Sequence, residues 1–153
     1  GSEDAGAMLI ETARALGQRA IVSRGWANLD AMAGDDCIAI GDVDYAKLFP
    51  RVAAIVHHGG AGTTTAAARA GKPQLVVPHQ YDQFYWSYRM RALGVGVSGP
   101  VRDKLTRQSL ESGLRECLQP ARRERARALS TRLRSDGAAQ AVRFITRVCA
   151  DAP

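Results

Sequence analysis

Five short apolar runs, each closed within two residues by glycine or proline, set the main constraint on this chain. They cover residues 19–23, 37–40, 53–57, 74–77 and 95–97. Each is a continuous apolar stretch rather than an alternation, the pattern of strands buried on both faces of a parallel sheet. Helix-forming segments lie between them. Ser2-Glu3-Asp4 opens one whose apolar positions Met8, Leu9, Thr12, Ala13 and Leu16 keep helical spacing and stop at Gly17. A short amphipathic turn over 45–49 ends at Pro50, residues 63–70 end at Gly71, and residues 82–93 end at Gly94. Three further helices are expected: 106–118 with Thr106 as cap, one opening at Pro120, and 137–148. Strand and helix in turn predict an α/β fold, a Rossmann-like doubly wound parallel sheet with right-handed crossovers.

The 153 residues make one domain, expected to run over 1–153. No apolar run approaches the roughly 18–20 residues of a membrane span, so stable membrane insertion is not expected. Cys37, Cys117 and Cys149 are odd in number and form no Cys-x-x-Cys pair, which argues against a disulfide framework or zinc site and for a reducing, cytoplasmic setting. The formal charge of +6 is almost wholly arginine, with Lys47, Lys72 and Lys104 the only lysines. Its densest cluster is Arg122, Arg123, Arg125, Arg127, Arg132 and Arg134. No aromatic platform accompanies it, so it reads as a solvated helix face rather than a nucleic-acid surface.

Chemistry concentrates in His57-His58-Gly59-Gly60-Ala61-Gly62-Thr63-Thr64-Thr65, where a buried strand turns into a helix. Such turns are where open α/β sheets bind ligands. Glycines admit a ligand to the backbone, and the first-turn N–H groups and helix dipole favour an anion, most naturally phosphate. Thr63 and Thr64 offer hydroxyls to cap the helix or to donate to phosphate, and His58 offers a further donor. The stretch is neither a P-loop nor a full dinucleotide fingerprint. Asp82-Gln83, after the next strand and hence beside this loop, supplies a carboxylate and an amide suited to vicinal hydroxyls. Phosphate donors next to hydroxyl binders suggest a sugar nucleotide. Asp42-Val43-Asp44 spells a metal-holding Asp-x-Asp, yet Asp44 precedes a short helix that it can cap, and no metal is expected. His57 is expected to point towards packing, Tyr85 and Trp86 to pack along their helix, and His79 is left between ligand contact and turn.

The series Asp44-Tyr45-Ala46-Lys47-Leu48-Phe49-Pro50, His57 to Thr63, Ala70-Gly71-Lys72-Pro73, Val77-Pro78, Asp82-Gln83 and Leu93-Gly94-Val95-Gly96 resembles the C-terminal, donor-binding half of GT-B glycosyltransferases. Within them it is most similar to the bacterial sterol, macrolide and glycopeptide types. The resemblance implies that Gly25, Trp26 and Val43 lie around the nucleotide, with the base meeting Val43 mainly through its backbone. It implies that His58, Gly60, Ala61, Gly62 and Thr63 surround the diphosphate, and that Asp82 and Gln83 hold the sugar. It further implies an inverting transfer of a hexosyl group from a UDP- or dTDP-sugar to a small hydrophobic acceptor, without cofactor or metal, His58 stabilising the leaving group. The acceptor and the catalytic base belong to an N-terminal domain absent from these residues, so no catalytic residue is expected in this chain, and alone it would be inactive.

The family's domain normally begins with one more, central strand. Its absence here predicts a sheet with unpaired inner edges, unless another chain supplies the strand and so makes an oligomer. Three alternatives stay open: a GT-B sugar-nucleotide epimerase, a non-catalytic sugar-nucleotide-binding or partner subunit, and the basic nucleic-acid binder.

Overall fold

The computed structural model describes residues 2–23 and 34–150. Seven α-helices occur among them: α1 (Ser2–Ala15), α2 (Tyr45–Leu48), α3 (Ala61–Arg69), α4 (Gln83–Ala92), α5 (Arg107–Cys117), α6 (Pro120–Ser130) and α7 (Gly137–Ala150). Their stop signals act as the sequence suggests. Gly17, Gly71 and Gly94 follow α1, α3 and α4 with φ of 64°, 66° and 67°, the left-handed conformation that closes a helix. Thr106 and Ser109 form a reciprocal capping box at the start of α5.

Strands β1 (Ala20–Ser23) and β2 (Cys37–Ile40) pair in parallel, Ala20 opposite Cys37 and Ser23 opposite Ile40. Strands β3 (Ile55–His57), β4 (Gln74–Val76) and β5 (Gly96–Ser98) form a second parallel sheet in that order. Its register places His57 opposite Val76 and Val76 opposite Ser98. Among the described residues no ladder joins β1 to β3, so the strands fall into two sheets at the point where an unpaired inner edge was expected.

Strand β4 is the structural centre. Leu75 packs with Val77, Val97, Leu110 and Cys117 on one face, against α5 and against Met8 and Leu9 of α1. Val76 packs on the other face with Met90 of α4, Ala126 of α6 and Val95, just before β5. Consecutive strand residues point to opposite faces, so three buried residues in a row require a helical layer on each side.

The smaller sheet departs from that expectation. Ile21 and Ile38, neighbours in the ladder, are 44% and 59% exposed, whereas Ala20, Val22 and Cys37 on the opposite face pack against Ile10 of α1. Ile10, fully buried, falls outside the apolar spacing read from the sequence. Helix α1 serves two partners at once, Met8 and Leu9 facing the larger core and Ile10 the β1–β2 sheet, so no single stripe describes it.

The arginine-rich segment is likewise only partly a solvated face. The Arg122 side chain is 13% exposed, donates to the Gly96 carbonyl at 2.5 Å and pairs with Glu116. It serves the outer edge of β5, which among the described residues has a strand on one side only. Helix α7 buries none of its residues, and its Val142, Phe144, Ile145 and Val148 are all more than half exposed. No helix is long and apolar enough to cross a membrane among the described residues. Cys37 and Cys117 are buried and Cys149 exposed; burial pushes the Cys117 thiol up to about 12, as inert as a small apolar side chain.

Candidate functional site

The loop between β3 and α3 is shaped by steric necessity. Gly59 has φ +100°, and a Cβ there would sit 2.8 Å from Val76 Cγ1 and 3.1 Å from the Gln83 carbonyl oxygen. Both the backbone conformation and the close approach of β4 and α4 therefore exclude a side chain. Gly60 is the N-cap of α3 in extended conformation, and a Cβ on it would lie 2.7 Å from His58 Nε2. The His58 imidazole thus folds directly over Gly60. Gly62 and Ala61 are exposed, and the space beside Gly62 is open. The first α3 bond runs from the Thr64 N–H to the Gly60 carbonyl at 3.0 Å, so the N–H groups of Ala61, Gly62 and Thr63 precede the intrahelical ladder.

Asp82 and Gln83 are brought against this loop, since the Gln83 backbone abuts Gly59. Their side chains are partly engaged already. Gln83 Oε1 accepts the His79 N–H at 2.7 Å and the Gln80 N–H at 3.1 Å, which leaves its amide nitrogen as the outward donor. Asp82 Oδ2 accepts the Trp86 indole N–H at 3.1 Å, which leaves Oδ1 to accept. Immediately before them Tyr81 takes φ 52°, a conformation uncommon for a bulky residue, and is 82% exposed. Tyr85 and Trp86 pack edge to face along α4 as expected, ring centroids 5.3 Å apart, and the Trp86 indole also orients Asp82, while Tyr85 stays 56% exposed.

Of the two roles open to the α3 hydroxyls, capping fails. Neither Thr63 nor Thr64 caps the helix, whose N-cap Gly60 has no side-chain partner. Thr64 turns inward instead, 1% exposed, and its Oγ1 is buried without a hydrogen-bond partner. His79, undecided from sequence, faces His58 with ring centroids 6.0 Å apart. Burial, followed by the charges of Arg102 and His58, lowers its pKa. The only signal of this in the sequence is its place one residue after Pro78 at the end of β4.

His57 faces inward, as expected, but it makes polar contacts there. Its Nε2 lies 2.9 Å from Gln74 Oε1, and its Nδ1 accepts the Gly59 N–H at 3.0 Å. Gln74 is fully buried and passes the chain on, its amide nitrogen donating to the Thr64 carbonyl at 3.3 Å. Burial pushes the His57 imidazole down from 6.5 to about 4; the Gln74 bond opposes this and the neighbouring His58 adds to it.

Of the remaining positions, Val43 follows β2 and is 40% exposed, with Asp44 beside it. Asp44 Oδ1 accepts the Ala46 N–H at 2.9 Å and caps α2, the role set against metal binding. Gly25 and Trp26 lie outside the described residues.

Parallel strands with helices on both faces, and a glycine loop at a strand-to-helix turn, agree with the C-terminal half of a GT-B glycosyltransferase, and the comparisons show that class. The chain belongs to the family of the erythromycin biosynthesis protein CIII-like C-terminal domain, whose model matches residues 21–145. It is 48% identical over 145 residues to a vancomycin aglycone glucosyltransferase of Amycolatopsis orientalis, covering 93% of this chain and 35% of that protein. It is 37% identical over 139 residues to a sterol 3-beta-glucosyltransferase of Arabidopsis thaliana, covering 88% of this chain and 23% of the relative. Among solved structures, the glycosyltransferase VinC in complex with dTDP superposes with a TM-score of 0.71 at 28% identity, over 82% of this chain and 32% of that one. The chain thus spans about a third or less of the length of these relatives.

Proposed function

We propose that residues 1–153 are the nucleotide-sugar domain of an inverting, metal-independent glycosyltransferase. It would bind a UDP- or dTDP-hexose for transfer to a small hydrophobic acceptor such as a natural product, a sterol or a lipid. The observation that carries this is the abutment of two motifs: the glycine loop with His58 at the α3 N-terminus, and Asp82-Gln83 packed against Gly59. Kinship with glycopeptide and sterol glucosyltransferases, and the dTDP bound by VinC, support the ligand class.

The chemistry follows from where charge develops. As the bond between the sugar's anomeric carbon and the phosphate oxygen breaks, negative charge grows on the nucleoside diphosphate. His58, the N–H groups of Ala61, Gly62 and Thr63 and the helix dipole would stabilise that charge, the part a divalent cation plays elsewhere. Gln83 Nε2 and Asp82 Oδ1 are the groups left to hold sugar hydroxyls. The acceptor hydroxyl attacks from the opposite face and loses its proton to a base outside these residues.

Calorimetric titration of the chain with UDP, dTDP and ADP, with and without magnesium, tests the reading. Binding of a pyrimidine nucleotide that magnesium does not alter is expected, with ADP weaker. No pyrimidine nucleotide binding by folded protein overturns it, and strict magnesium dependence returns attention to Asp42 and Asp44.

A further inference from the structure

We propose that His57 is a positioning residue for the glycine loop, holding the Gly59 N–H from beneath so that His58 and the first-turn N–H groups of α3 are presented to the diphosphate; this rests on the function proposed above. The geometry is a relay across three elements. Gly59 N–H donates to His57 Nδ1, His57 Nε2–H donates to Gln74 Oε1 on β4, and Gln74 Nε2 donates to the Thr64 carbonyl in α3. Only one assignment of protons satisfies all three bonds. Because Nδ1 must accept, the imidazole is neutral and carries its proton on Nε2, and the Gln74 amide is fixed by its two partners. The relay therefore joins the end of β3, the start of β4 and the first turn of α3 around a residue, Gly59, whose φ of +100° and close contacts leave no steric freedom of their own.

Protonation would break this arrangement at its ligand end. An imidazolium presents an N–H at Nδ1 to the Gly59 N–H, donor against donor. The surroundings favour the neutral form: β4 presents Gln74, α3 presents Thr64 and α4 reaches the relay through Met90, all uncharged. Among the described residues the titratable group acting on it is His58, which lowers its basicity further. Whereas His58 would touch the ligand, His57 acts only through the backbone that the ligand meets.

Two isosteric substitutions separate loop positioning from bulk packing. His57→Asn places Oδ1 where Nδ1 stood, which keeps the acceptor for Gly59 and loses the Gln74 bond; His57→Gln reaches Gln74 and loses the acceptor. Both are expected to melt below the parent by similar amounts. Nitrogen-15 NMR hydrogen exchange without nucleotide should find the Gly59 amide protected in the parent and in His57→Asn, and at least about tenfold less protected in His57→Gln, the scale of one lost hydrogen bond. Calorimetry with dTDP should follow the same split, His57→Asn within about threefold of the parent and His57→Gln weakened about tenfold or more. Protection of Gly59 that persists in His57→Gln, or dTDP affinities that track the melting points of the two variants, overturns the positioning role. A parent chain that binds neither UDP nor dTDP overturns the proposed function and the ligand half of this inference with it, while the exchange data still decide whether His57 holds the loop.

Discussion

At the scale of single residues, the two glycines of the loop do different work and predict different failures. Gly59 combines a φ that L side chains rarely adopt with a 2.8 Å approach to Val76, so Gly59→Ala is expected to lose about 2–4 kcal/mol of stability in urea unfolding. Gly60, at φ −60° and ψ 140°, can accept alanine without backbone strain, and the added methyl meets only the His58 ring. Gly60→Ala should therefore keep its melting point within a few degrees while dTDP affinity falls about tenfold, the worth of one hydrogen bond to a charged group. Equal losses of stability in the two variants would show that the His58 placement over Gly60 is wrong. His57 adds a pH signature. Its folded pKa of about 4 lies below the unfolded 6.5, so the unfolded chain takes up the proton first. The stability it contributes is complete above pH 6.5 and is lost as pH falls towards 4, amounting to about 3 kcal/mol over the window. His57→Asn should flatten that segment of a urea-midpoint-against-pH curve. Parallel curves for parent and variant would mean that His57 is not the neutral, half-buried group described.

At the scale of elements, what could be read from sequence was what local chemistry determines. Five apolar runs gave five strands because each is bounded by a residue that ends a strand. The helix ends were legible because Gly17, Gly71 and Gly94 are needed in a left-handed turn. What escaped was set by neighbours distant in the chain. Ile10 is buried because α1 lies between two sheets, Thr64 is buried where Gln74 donates to its backbone carbonyl, and the Gln83 side-chain oxygen serves the loop of His79 and Gln80 before any sugar. Arg122 is the clearest case. It looks like one arginine of a solvated cluster, yet its guanidinium satisfies Gly96 at the sheet edge and pairs with Glu116. Replacing it by alanine removes a charge-assisted bond and the apolar stem beneath it. Arg122→Ala is expected to lose about 1–3 kcal/mol, whereas Arg132→Ala, in no ion pair among the described residues, should stay within about 0.5 kcal/mol. Similar values for the two would restore the solvated-face reading.

At the scale of the whole molecule, the two sheets pose the remaining question. Strand β4 has a partner on each side, whereas β1 and β3 each pair on one side only among the described residues. What holds the β1–β2 sheet to the rest is α1, through Met8 and Leu9 against the Leu75 core, with an exposed Arg107–Glu11 pair between α5 and α1. Exposed ion pairs contribute little, so this junction rests mainly on side-chain packing. A right-handed crossover leading through α1 into β1 places any strand preceding α1 parallel to β1 in the same sheet, and the free edges of β1 and β3 are the backbone groups such a strand would satisfy. The expected consequence is measurable by hydrogen exchange. Amides of β4 should exchange slowest, and the outward-facing amides of β1 and β3 much faster. A chain extended at its N-terminus by an apolar strand should protect both edges together and melt at least about 5 °C higher, the scale of one to two kcal/mol in a domain of this size. Protection of only one edge would mean that the two sheets do not share a strand. Edges already as slow as β4 in the unextended chain, with a dimer in sedimentation, would mean that a second copy pairs there instead.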